Sequence, residues 1–206
     1  MSLFFAFLVA ATLLAITPGP GIAYVVARTA AGGRTEGLAS CLGTAVGGMV
    51  HVLALAFGLS ALIAQSALAF SVVKYVGAAY LVYLGIRLLL ARQQVSMPLE
   101  ASRKGTATAF RDGIVVEALN VKTAIFFLAF LPQFVLPSEP LVPQLVLLGS
   151  VCVFLNTFVD VVAVFGASRL LQSPAARSAR ERLLTKLSGG TMVGLGVYLA
   201  AAKREA

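Results

Sequence analysis

LFFAFLVAATLLAITPGPGIAYVVA, residues 3–27, contains no acidic or basic side chain. It is longer than the ~20 apolar residues that carry a helix across a bilayer. It does not alternate with period two, which argues against a barrel strand and leaves a helix as the way to satisfy its backbone in lipid. Its middle breaks that helix. Pro18 and Pro20 have no N–H to give the carbonyls of Leu14 and Ile16, and Gly19 and Gly21 add backbone freedom. A new helix should begin near Ile22–Ala23, and such a start attracts anions such as a carboxylate. The plain alternative is a packing kink. However, unpaired backbone at membrane depth is tolerated only inside protein or against a wet cavity. The opening also looks like the apolar core of a signal peptide, but it lacks a basic start and the apolar run resumes after Pro20, so it is kept as a span.

The rest of the 206 residues follows suit. Hydrophobic residues make up 59% and charged residues 12%, whereas soluble domains carry about 25% charged residues. Mean hydropathy is +0.94. This excludes a disordered chain and, despite a net charge of +8, a nucleic-acid partner. Six apolar stretches emerge, at about 3–27, 38–64, 67–91, 109–135, 141–171 and 184–203. The expected fold is an all-α polytopic membrane protein with six transmembrane helices. Twelve of the 16 basic residues fall in alternate connections, among them Arg28 and Arg34, Arg103 and Lys104, Arg180 and Arg182. The positive-inside rule places those connections in the cytoplasm and both termini outside.

A faint repeat runs through the chain. A shift of 103 lays Ala6-Phe7 on Ala109-Phe110 and Thr17-Pro18 on Asn120-Val121. Phe57-Gly58 recurs as Phe165-Gly166, and Lys74-x-x-Gly77 as Lys186-x-x-Gly189. The expectation is one transmembrane domain over 1–206: repeat one at 1–92, a basic cytoplasmic loop at 93–108, and repeat two at 109–206. Three spans per half make the repeats inverted, as in many secondary transporters.

Ionisable residues inside spans are expensive, about 2.5–3.5 kcal/mol at a helix centre. The fourth stretch holds Glu117, Asn120 and Lys122; the first two share a face at i, i+3, and Lys122 is a site residue or half of a buried pair. The second stretch holds His51 on a small-residue stripe with Gly43, Gly47, Ala54 and Gly58, a spacing that lets helices approach closely, within one protomer or between two in a homodimer. His51 is a hydrogen-bonding group or a proton carrier. The fifth stretch holds Asn156 and Asp160, and an acid among Phe158, Val159, Val161 and Val162 must be paired, protonated or wet. Tyr24 reads as a packing group that could reach a ligand.

ITPGPG, the glycine-rich second stretch, LNVKTAIFFLAFLPQF at 119–134 and LSGGTMVGLGVYLA at 187–200 together resemble the LysE/RhtB family of amino-acid exporters. The family's P-x-F is present as Pro132-Gln133-Phe134; its fourth-span N-P-K stands here as Asn120-Val121-Lys122, without the proline, which leaves the second break open. The resemblance implies six spans in the bacterial inner membrane and proton-driven efflux of an amino acid or related metabolite, with no cofactor and no enzymatic activity.

On this reading Thr17, Pro18, Gly19, Pro20 and Gly21 receive the substrate carboxylate. Asp160 takes the ammonium group or the proton, with Glu117 and His51 in the proton path, and Asn120 and Lys122 hold the mirrored break. A thiol-disulfide carrier would need two close reactive cysteines, and Cys41 and Cys152 do not occupy matching repeat positions. A metal-cation transporter would need more carboxylate, imidazole or thiolate ligands than the spans supply.

Overall fold

The computed structural model describes residues 2–17, 19–65, 103–136 and 138–170, with isolated positions within 72–90 and 186–197. Pro18 and most of the third and sixth stretches lie outside the described residues. Helix α1 spans Ser2–Ile16, α2 Pro20–Gln65, α3 Thr106–Ala118, α4 Val121–Phe130 and α5 Leu141–Leu170, with a 3-10 turn at Leu131–Phe134 between the last two. Among the described residues there is no strand.

Two expectations change. The helix after the first break starts at Pro20 rather than at Ile22–Ala23, because a proline fits the first helical position, where its missing N–H would have no partner. The connection expected between residues 27 and 38 narrows to a break at Gly33: helical residues run up to it and on from it, and Gly33 itself is non-helical, with a φ of 77° that suits a residue without Cβ. Arg28, placed by the sequence in the first connection, is helical and buried.

Pro20–Gly58 and Leu141–Gly166 are long and apolar enough to cross a membrane; the pair Thr106–Ala118 and Val121–Phe134, bent by 47°, makes a third span if it crosses as one. Large apolar side chains stand on the surface and several polar ones inside. Phe154 and Phe158 on α5, and Leu53 and Phe57 on α2, are exposed, while Thr44, Glu117, Asn120, Thr123 and Asp160 are buried. The main core gathers Phe7, Ala11 and Leu14 of α1, Val52 and Leu55 of α2, Leu145 and Leu148 of α5 and the aromatic run of α4. In that run Phe126, Phe130 and Phe134 stack in succession at 4.6 Å between ring centroids, and Phe7 meets Phe134 edge-on at 5.4 Å. Gln144 folds the segment before α5 onto itself: its amide accepts from Leu136 N at 2.7 Å and donates to Leu136 O at 3.1 Å.

The small-residue stripe of α2 divides in two. A Cβ at Gly43 would run into the carbonyl oxygen of Phe110, and one at Gly47 would lie 2.6 Å from that of Ile114. These two glycines let α2 and α3 touch backbone to backbone. Gly58, at the other end, would meet nothing within 4 Å. Gly43→Ala should therefore lower stability by about 1–3 kcal/mol, the usual cost of overpacking, with Gly58→Ala nearly neutral. Thermal melting of the two variants in detergent checks this; equal melting temperatures would contradict the backbone contact.

Candidate functional site

The second helix break exists without the proline. Leu119 N still bonds back to Val115 O, but Asn120 N turns to Glu117 O at 2.9 Å, three residues back. Asn120 then caps the next helix, its side-chain oxygen accepting from Lys122 N at 3.1 Å. An asparagine offers the backbone a competing partner and so stops one helix while starting another. The break falls 103 residues after the first, Asn120 against Thr17, the offset read from the sequence.

Side chains from the second break fill the first. Lys122 Nζ donates to the Thr17 carbonyl at 3.0 Å, a cation on the C-terminal end of α1 where the helix dipole favours it. Glu117 goes to the other side. Asn120 Nδ2 donates to its Oε2 at 3.0 Å and Thr123 Oγ1 to its Oε1 at 2.6 Å, and Oε2 lies against Gly21. A Cβ at Gly21 would come within 2.6 Å of that oxygen, and a Cβ at Gly19 within 2.7 Å of Lys122 Nζ. The two glycines thus make room for two charges, in addition to loosening the backbone. The start of α2, expected to await a ligand carboxylate, already faces that of Glu117. Glu117 and Lys122 form no direct ion pair; each serves the opposite end of the first break.

Around this interlock is a cavity of about 40 Å³, room for roughly three or four waters at ~10–15 Å³ each. Thr17, Gly19, Gly21, Thr44, Glu117, Asn120, Lys122, Thr123, Asn156, Thr157 and Asp160 line it, with Leu14, Phe127 and Val153 among its apolar walls. Asp160 is 6% exposed and accepts from Thr44 Oγ1 at 3.2 Å. The same hydroxyl lies 3.0 Å from the Cys41 carbonyl. It has one proton for two acceptors: ionised, Asp160 takes it; protonated, Asp160 donates to Thr44 and the hydroxyl turns to Cys41 O.

Seven of the ten residues picked from the sequence therefore share this cavity: Thr17, Gly19, Gly21, Glu117, Asn120, Lys122 and Asp160. Pro20 is exposed and does not line it. Pro18 lies outside the described residues. His51 stands behind the site, its Nε2 donating to the Glu117 carbonyl at 2.8 Å, with its ring edge-on to Phe127. Sequence reasoning missed Thr44, Thr123 and Thr157. Thr44 was marked only by its place on the small-residue face of α2, and Thr123 only by its adjacency to Lys122. Tyr24 donates to Ala109 O at 3.0 Å, which ties α2 to α3. Cys41 and Cys152 are free, buried and in separate apolar clusters. Among the described residues no three His, Cys, Asp or Glu side chains are grouped to hold a metal.

This arrangement, two interrupted helices whose broken ends meet at a buried charged cavity, is that of a membrane translocator. The chain matches the LysE type translocator family over residues 12–203, and it belongs to that family: it is a transporter and not an enzyme. It is 31% identical over 202 residues to the homoserine/homoserine lactone efflux protein of Salmonella typhimurium, covering 97% of this chain and 96% of that one. An uncharacterized membrane protein of Vibrio cholerae is 30% identical over 201 residues, 96% of each chain. The membrane protein YrhP of Bacillus subtilis is 28% identical over 203 residues, covering 93% of this chain and 95% of that one. No solved structure matches the chain.

The capping geometry predicts the effect of restoring the family's proline. Asn120 is already extended, φ −75° and ψ 97°, as a residue before proline must be, and Val121 is the first residue of α4, where proline is tolerated. Val121→Pro should keep or raise stability, by ~0.4–1 kcal/mol at most, whereas Asn120→Ala should lose ~0.5–2 kcal/mol with the cap. Melting temperatures in detergent decide; a collapse of the Val121→Pro protein would show that α4 does not begin there.

Proposed function

We propose that the protein is a secondary active transporter that exports a small zwitterionic amino acid or a related metabolite across the bacterial cytoplasmic membrane in exchange for protons. In this reading it crosses the bilayer six times, as two inverted three-helix repeats at 1–92 and 109–206 joined by the basic loop 93–108, and rocking of one repeat on the other alternates access. One observation carries the proposal: Lys122, Glu117 and Asp160 line one cavity, together with hydroxyls, amides and apolar walls. A zwitterion presents the complementary pair of charges.

The substrate carboxylate goes to Lys122 at the broken end of α1, beside Gly19. The α-ammonium goes to Asp160. A proton and an ammonium group compete for the same carboxylate, and that competition is the basis of exchange: Asp160 gives up its proton when substrate enters from the cytoplasm and takes one when substrate leaves. The two settings of the Thr44 hydroxyl accommodate both states of Asp160. Glu117, held by Asn120 and Thr123, keeps the break open, and His51 supports it through the Glu117 carbonyl. The efflux activity for which the Salmonella typhimurium relative is named makes homoserine the first cargo to try.

Two measurements test this. A thermal-shift panel of amino acids on purified protein should give a stabilising hit, because a ligand stabilises the state it binds; no hit among amino acids and their lactones counts against the cargo class. In proteoliposomes, Asp160→Asn should abolish export driven by a proton gradient while the protein still folds. Full gradient-driven export by Asp160→Asn would remove Asp160 from the mechanism.

A further inference from the structure

A second buried charged group lies beyond the cavity, at the bend of α2. Arg28 and Glu36 flank Gly33 and form an ion pair with side chains only 3% and 7% exposed. The second carboxylate oxygen of Glu36 accepts the N–H of Gly105 at 3.0 Å. Gly33 and Gly105, φ 77° and 83°, are the positive-φ residues among those described. One carboxylate thus binds together the bend of α2 and the entry to α3, the two places among the described residues where φ is positive.

Among the described residues, an apolar cluster stands along the helices between this pair and the cavity-lining positions. Val25, Cys41 and Val164 pack together, none more than 1% exposed. Three helical segments pass through the same levels in the same order. Arg28, Val25 and Gly21 follow one another on the first limb of α2; Glu36, Cys41 and Thr44 on its second limb; and Val164 and Asp160 on α5. The last residue of each series lines the cavity. Ser40 Oγ donates to Glu36 O and Thr29 Oγ1 to Val25 O, so neither hydroxyl competes for the pair. Along these described segments, a passage from the cavity toward Gly33 meets this apolar cluster and then the ion pair.

A buried pair adds little net stability, yet removing one partner strands the other charge. Such a pair suits a two-state element, closed and paired or open and hydrated. We propose that Arg28–Glu36 is the latch of the gate on the cytoplasmic side of the cavity, with Val25, Cys41 and Val164 as its plug and Gly33 and Gly105 as its hinges. The assignment of a side rests on the export reading above and its orientation of the basic connections.

Cys41 is a built-in reporter, since Cys152→Ser leaves it as the sole cysteine of the chain. In inside-out vesicles this parent protein should react slowly with a membrane-impermeant maleimide. Glu36→Gln, which keeps an oxygen for Gly105 N–H but drops the charge, should react about tenfold faster or more, as should Arg28→Gln; tenfold corresponds to about 1.4 kcal/mol of the closed state. Glu36→Asp keeps the charge but is too short to reach both partners, and gives the answer by the same acceleration if the neutral variants do not assemble.

Parent-like rates in the variants that fold overturn the latch, and acceleration only in right-side-out vesicles overturns its cytoplasmic placement. The labelling needs no substrate. Acceleration in a protein that shows no amino-acid counterflow leaves the latch standing and removes the export reading; counterflow with unchanged labelling does the reverse.

Discussion

A buried carbonyl that loses its helical partner must be satisfied by another donor, and at Thr17 that donor is an ammonium group from the other half of the chain. The contact between Lys122 and Thr17 O, with Glu117 set against Gly21, ties the two breaks together. The rest of the site is arranged around it. Asn120 both caps α4 and holds Glu117, and Thr123 takes the second carboxylate oxygen. His51 satisfies a carbonyl at the end of α3. The cavity is the space left where two helices cannot continue, and its polar lining follows from the groups needed to finish their ends.

The first break was legible because proline and glycine act through the backbone and need no partner. Its two-residue error came from treating Pro20 as an obstacle rather than as a first helical residue. The second break was not legible from proline, which is absent, and the asparagine that produces it works through a hydrogen bond two residues ahead. The polar residues of the cavity were visible as costly exceptions in apolar helices. The threonines were not, since a lone hydroxyl in a helix can satisfy itself on its own backbone. The sequence leaves Lys122 as a site residue or half of a buried pair, and spacing on a regular helix cannot show that the second break sends Lys122 and Glu117 to opposite ends of the first break. Arg28 was misplaced for a similar reason: a basic residue between two spans was counted as loop, though Glu36 eight residues on allows it to be buried.

Glycine serves three separate needs in this protein. Gly33 and Gly105 supply positive φ, Gly43 and Gly47 supply backbone contact with α3, and Gly19 and Gly21 leave space for charged side chains. Only the first of these is conformational. The other two are matters of volume, set by residues far away in sequence, which is why a stripe of small residues in one helix cannot by itself say what lies against it.

The reach of the Lys122 contact also bears on how the protein is made. Its two ends are 105 residues apart, and ribosomes add ~5–20 residues per second. The first break is therefore synthesised roughly 5–20 seconds before the side chains that complete it exist. During that interval its open backbone needs water, lipid headgroups or the insertion machinery as a temporary partner. The first half is thus expected to linger at the insertion site until the second half arrives, and the two halves to mature as one unit.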